Sequence, residues 1–243
     1  MKTIGIYLYA GLLVLKSFPN LIKVRRIPDH IPFSEKGKRI FKTPKEVSQK
    51  VFKRTKSTID VRGTNKLPEG PVLFVSNHQG LFDIIVLLGY VDKPMGFISK
   101  QEIKKIPIIS SWMKELKCVF IDRSNRRAAI KVIDDGIESL KAGQSMVIFP
   151  EGTRTRGKAV QSFKSGSLRL ATRANVPIVP IAIDGTYKIF EENDMKVKGG
   201  HVSLTICDPM MPDQYKEMKN HTIAEQLQQT IESVIANPIN KVS

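Results

Sequence analysis

Cysteine is scarce in this 243-residue chain. It has two, Cys118 and Cys207, far apart and with no histidine or second cysteine at ligand spacing. That excludes a disulfide framework and the usual zinc patterns, and it points to a reducing compartment. Internal repeats and low-complexity tracts are missing as well, which excludes a repeat architecture. Negative charge is in short supply: 23 acidic residues face 39 basic ones, for a net charge of +16. The longest apolar run near the N-terminus, Ile4–Leu15, would make a helix of about 18 Å, short of a hydrocarbon core of about 30 Å. No small-x-small cleavage site follows Leu15, which argues against a signal peptide.

What is present begins with that run, flanked by Lys2 and Lys16. We read it as a membrane-interfacial or re-entrant anchor. A single span is the alternative, with the run extended to Ile22 across Lys16 and Pro19. Residues 23–56 then carry twelve basic and three acidic side chains, more than half of the net charge. Basic clusters beside a membrane segment are drawn to anionic headgroups and favour the cytoplasmic side. The rival reading, nucleic-acid binding, has little support: Phe33, Phe41 and Phe52 are the stretch's few aromatics, and it shows no binding signature. The expected division is therefore an N-terminal anchor and basic membrane-facing segment, 1–56, and a globular domain, 57–243.

In the second part, short apolar runs alternate with longer stretches of helical spacing. Strands are predicted at Val72–Val75, Met95–Ser99, Val119–Ile121, Ser145–Phe149 and Val202–Ile206. Helices are predicted at Phe82–Tyr90, Pro107–Leu116, Arg127–Ala142, Ser165–Asn175 and Thr222–Ile235. Val176–Ile183 reads as a strand that is irregular or near an edge, because it contains Pro177 and Pro180. The expected fold class is α/β: one domain with a central mixed sheet flanked by helices, preceded by a membrane-associating helical segment.

Three strand ends carry chemistry. After Val72–Val75 come Asn77, His78 and, five residues beyond His78, Asp83. Histidine is suited to proton transfer near neutral pH, and a carboxylate on one ring nitrogen leaves the other free to act as a base. Five residues along a helix is about 140° off one face, so His78 must lie in the turn with the chain folding back towards Asp83. No nucleophilic Ser or Cys is evident beside it, so the base would activate a hydroxyl of the substrate. After Val119–Ile121 come Asp122 and Arg123. After Val147–Phe149 come Pro150, Glu151, Gly152, Thr153 and Arg154, with Arg156 and Lys158 close behind. Arginine forks onto phosphate and glycine lets backbone approach closely. If these ends share one side of the sheet, a base stands beside a cationic cradle for a phosphorylated substrate.

Four stretches in order across residues 72–183 resemble the glycerolipid acyltransferase family, in particular the bacterial-type lysophosphatidic acid acyltransferases: Asn77–Asp83, Val119–Arg123, Phe149–Arg154 with Phe163–Gly166 following, and Val176–Ile181. The resemblance implies transfer of a fatty acyl group from acyl-carrier protein or acyl-coenzyme A to the sn-2 hydroxyl of lysophosphatidic acid, giving phosphatidic acid. It implies His78 and Asp83 as the catalytic pair, base and orienter. Asn77, Arg123, Glu151, Gly152, Thr153, Arg154 and Lys164 would form the substrate-binding set. It requires no metal and no resident cofactor; the partners are the lysophospholipid, the acidic thioester carrier and an anionic membrane surface, with no nucleic acid. Two departures stand out. Lys117-Cys118 replaces a frequent glycine before the second block, and Thr155 replaces the usual Ser after Arg154. A relative with another acceptor, such as glycerol-3-phosphate, and a non-catalytic membrane-binding relative are the alternatives.

Overall fold

The computed structural model describes residues 2–121 and 126–237. Three helices come first: α1 (Lys2–Lys16), α2 (Phe18–Arg25) and α3 (Phe33–Arg54). Then strands and helices alternate as β1 (Thr58–Arg62), β2 (Leu73–Ser76), α4 (Phe82–Tyr90), β3 (Met95–Lys100), α5 (Ile109–Glu115), β4 (Val119–Ile121), α6 (Arg126–Lys141), β5 (Ser145–Ile148), α7 (Arg169–Ala174) and β6 (Ile178–Asp184). The chain closes with β7 (His201–Ile206), α8 (Pro212–Tyr215) and α9 (Asn220–Ala236).

The seven strands form one sheet in the order β1-β7-β6-β2-β5-β3-β4. β6 and β7 run antiparallel, and every other neighbouring pair is parallel. β2 lies between β6 and β5, with Phe74 opposite both Val179 and Val147. All four β2 residues are buried, as expected of a strand covered on both faces. Successive side chains point to opposite faces. Val72 and Phe74 join a core under α3 and α4. Leu73 and Val75 join the core under α6, α7 and α9, where Val132, Ile137, Leu140, Leu227 and Ile231 are buried.

Two sequence expectations change. β6 is interior, not irregular or near an edge, despite Pro180. The Pro180 carbonyl accepts the Cys207 N–H at 2.9 Å. N and O of one strand residue face the same neighbour. So the missing Pro180 N–H falls on the β7 side, where β7 has already ended at Ile206 and its first β6 pairing is Ile181 with Ile206. The β2 side, which needs its ladder intact, is untouched.

The basic segment also has a structure that its charge hid. α3 buries Phe33, Gly37, Ile40, Phe41, Ser48, Val51 and Phe52, spaced along one face, while Lys38, Arg39, Lys42, Lys50, Lys53 and Arg54 are exposed. Its buried aromatics belong to the sheet's own core, and Phe52 packs edge-to-face on Tyr90 of α4 with centroids 5.3 Å apart. Gly89 lets α4 close on α3, where the Gln49 amide donates to the Gly89 carbonyl at 2.8 Å.

α1 and α2 nearly form one helix. Thr3–Arg25 is long and apolar enough to cross a membrane by length and composition, with 11% of its most apolar window buried. At the junction, buried Ser17 accepts the Trp112 indole N–H at 2.8 Å. Facing outward, Ile4, Leu8, Leu12, Leu15, Phe18 and Ile22 are exposed at helical spacing.

Candidate active site

Because β2, β5 and β6 are parallel, their carboxyl ends lie on one edge of the sheet, with β2 in the middle. Loops at such an edge carry the functional groups of open α/β sheets. Here the loop after β2 is held by both its neighbours.

His78 sits in the turn between β2 and α4. Its Nδ1 lies 2.7 Å from Asp83 Oδ2, and its side chain is 15% exposed. Asp83 lies in the first turn of α4 and is fully buried. It is an acceptor well supplied with donors: Oδ2 also accepts the Gln79 N–H at 2.7 Å and the Gly80 N–H at 2.9 Å, and Oδ1 accepts the Thr186 hydroxyl. With its oxygens turned to donors, Asp83 faces His78 as an acceptor, so the Nδ1 of His78 carries a hydrogen towards it and Nε2 is the nitrogen left for other partners. The imidazole stacks on Phe149 at the end of β5, with centroids 4.0 Å apart and planes 17° apart.

From the β5 side, the turn after Phe149 grips the His78 backbone at both ends. Glu151 Oε1 accepts the His78 N–H at 2.6 Å, and the His78 carbonyl accepts the Thr155 N–H at 2.8 Å and the Thr155 hydroxyl at 3.2 Å. The other Glu151 oxygen accepts the Gln161 N–H at 2.7 Å. Burial pushes the Glu151 carboxyl up from the ordinary glutamate range, against the pull of these two N–H groups and of His78. From the β6 side, Asn77 exchanges two hydrogen bonds with the backbone of Ile183, at 2.8 and 2.9 Å. The Gln79 amide donates to Asp184 at 3.1 Å, and its carbonyl accepts the Gly185 N–H at 2.9 Å.

The predicted site residues therefore separate by position. His78, Asp83, Asn77 and Glu151 come together, but the Asn77 and Glu151 side chains are buried behind the turn, each turned to backbone. Thr153, Arg154 and Lys164 are exposed beside the turn. Gly152 has φ +74°, and a Cβ there would come within 2.8 Å of Lys164 Nζ, so glycine lets that ammonium close on the turn. Arg154 is 3.8 Å from Glu191, whose Oε1 also accepts the Leu81 N–H at 2.7 Å. Arg123 lies outside the described residues. Gln79, Phe149, Thr186 and Glu191 were not anticipated from sequence; Thr186 is 103 positions from Asp83, and no local pattern joins them. Neither cysteine offers a thiolate: burial pushes Cys118 up to about 12, and Cys207 is also raised by burial.

Known proteins resemble this arrangement. The family model described as Acyltransferase matches residues 58–184. A probable 1-acyl-sn-glycerol-3-phosphate acyltransferase of Mycoplasma pneumoniae is 26% identical, over 97% of this chain and 92% of its own. The chloroplastic 1-acyl-sn-glycerol-3-phosphate acyltransferase LPAT1 of Arabidopsis thaliana is 36% identical over 63% of this chain, which is 43% of that longer protein. The crystal structure of the 1-acyl-sn-glycerophosphate (LPA) acyltransferase PlsC from Thermotoga maritima superposes with a TM-score of 0.83 at 26% identity, over 100% of both chains.

Proposed function

The chain belongs to the acyltransferase family, and from that premise we propose that it transfers a fatty acyl group from acyl-carrier protein or acyl-coenzyme A to the sn-2 hydroxyl of lysophosphatidic acid, releasing phosphatidic acid and the free thiol. The observation that carries this reading is the His78–Asp83 pair, bonded through Nδ1, at the same sheet edge as the cationic turn of Gly152, Arg154 and Lys164. The names of the relatives support the acceptor.

In this reading, His78 Nε2 takes the proton of the sn-2 hydroxyl as that oxygen attacks the thioester carbonyl carbon. The tetrahedral intermediate collapses, the C–S bond breaks, and the departing sulfur takes the proton back from Nε2. Asp83 holds Nδ1–H and stabilises the imidazolium that forms in between. The thioester is already activated, so the step calls for no metal and no resident cofactor. Arg154, Lys164 and Arg123 hold the glycerophosphate, with Gly152 and Thr153 bringing backbone close to it. Asn77 and Glu151 act from behind, by fixing the turn. The exposed apolar face of α1–α2 and the basic face of α3 bring the enzyme to an anionic membrane, on its cytoplasmic face, where a lysophospholipid resides.

The test is thiol release from each donor, with and without lysophosphatidic acid, for the wild type and His78→Ala. Acceptor-dependent release that falls about 10²–10⁴-fold in the variant is expected for the loss of a general base. Release without acceptor would mean a thioesterase. Release that needs glycerol-3-phosphate instead would reassign the acceptor.

A further inference from the structure

The end of β6 has no place in the mechanism so far, yet it supplies the last donor to the buried carboxylate. Thr186 opens a 3-10 turn, Thr186–Ile189, and is completely buried. Its hydroxyl is the one donor to Asp83 Oδ1 among the described residues, while Oδ2 already receives three. The same hydroxyl lies 3.4 Å from Gln79 Oε1, which the preceding Gly185 N–H also reaches. Gly185 fixes where Thr186 stands. Its φ is +94°, and a Cβ there would run into the backbone carbonyl of His201, so the turn leaves β6 in one way only.

We infer that Thr186 is a positioning residue of the acyl-transfer reaction: it satisfies the far oxygen of the buried Asp83 carboxylate and thereby sets the orientation and basicity of His78. This rests on the acyltransferase reading given above. Without the hydroxyl, Oδ1 is left buried with no other donor among the described residues, and the carboxylate is drawn off its bonds to the turn and to Nδ1. It also keeps more of its charge available to the imidazolium. Without the hydroxyl, Asp83 becomes more basic, His78 holds its proton more tightly, and a base is available only at higher pH. The other charged groups around the pair are Glu151 on the His78 N–H, Asp184 on Gln79, Glu191 on the Leu81 N–H with Arg154 beside it, and Lys164 at Gly152. All of them are common to the variants compared, so they drop out of the difference.

The experiment uses the full chain in detergent, with Thr186→Val, Thr186→Ser and His78→Ala. Turnover is followed by thiol release from acyl-coenzyme A and from acyl-carrier protein with lysophosphatidic acid. In parallel, the ring of His78 is titrated by NMR in histidine-labelled protein, its signal assigned by its loss in His78→Ala. Thr186→Val should lower kcat roughly tenfold or more with little change in either KM, the scale of leaving one buried acceptor unsatisfied. The acid limb of its rate profile and the His78 titration should both move to higher pH. Thr186→Ser, which keeps the donor, should restore both. A folded Thr186→Val with wild-type kcat and an unmoved titration overturns the inference, as does a Thr186→Ser equally impaired. If Thr186→Val does not fold, Thr186→Ala removes the donor without adding bulk and is judged by the same readouts. A moved titration in a protein that shows no transfer to lysophosphatidic acid would uphold Thr186 and overturn the acceptor.

Discussion

Glu151 stands in a stretch expected to bind substrate, yet its side chain is turned to backbone. Its two oxygens each accept a backbone N–H, from His78 and from Gln161, so one carboxylate ties His78 to the loop on the far side of the turn. Glu151→Gln would keep one acceptor and set an NH2 against the other N–H. We expect roughly tenfold lower turnover from the loosened turn, measured in the thiol-release assay. The pH dependence has a definite sign. Burial raises the Glu151 carboxyl, so the folded chain binds that proton more tightly than the unfolded chain does. The resulting stabilisation is fully present below the ordinary glutamate range and is lost as pH rises through the raised value. Wild-type stability relative to Glu151→Gln should therefore decline across that window, read from denaturant midpoints at successive pH values. A flat difference would mean that the carboxyl titrates normally.

At the scale of elements, α3 is where charge and packing compete for the same stretch. Phe52 is buried at 1% exposure and meets Tyr90 at the end of α4, whose other end carries Asp83. Truncation to alanine should cost about 3–5 kcal/mol, the usual range for a buried phenylalanine, and should lower the denaturant midpoint accordingly. A loss below about 1 kcal/mol would mean that α3 leaves the core at little expense. The sequence made other elements more legible than this one. The helix Phe82–Tyr90 and the strand Val119–Ile121 fall where the apolar spacing predicts. Both are short runs with one dominant signal. In α3 the apolar positions are outnumbered by lysines and arginines, so the stretch reads as charge before it reads as a helix. β1 differs: half-buried Ile59 and Val61 alternate with exposed Thr58, Asp60 and Arg62, a period of 2 that is legible but only five residues long and follows directly on the basic stretch. The site divides likewise. His78 and Asp83 are five positions apart, close enough for their types and spacing to signal a pair. Thr186 and Asn77's partner Ile183 are more than a hundred positions away, brought there only by the order β6-β2-β5, which no local pattern encodes.

For the whole molecule, the question is how an enzyme with a lipid substrate stays at the lipid. In the proposed reading two surfaces contribute, and they would respond differently to salt. The exposed lysines and arginines of α3 would attract anionic headgroups by about 1 kcal/mol each near the surface. That attraction is screened as the Debye length falls from about 10 Å at 0.1 M salt to 3 Å at 1 M. The apolar row Ile4, Leu8, Leu12, Leu15, Phe18 and Ile22 would bind by burying area, which salt does not screen. The row is tied to the proposed site: Tyr7 of α1 meets Phe190 edge-to-face, Phe190 meets Phe82 likewise, and Phe82 precedes Asp83. A membrane bound at α1 would thus lie within two ring contacts of the turn that carries His78. Sedimentation with vesicles containing phosphatidylglycerol should retain the wild type at 1 M salt, while Leu8→Glu/Leu12→Glu should bind at 0.1 M and be released at 1 M. If the wild type were released too, charge alone would hold it, and α1 would serve the fold more than the membrane. Retention of the double variant at 1 M salt would instead assign the apolar contact to another surface.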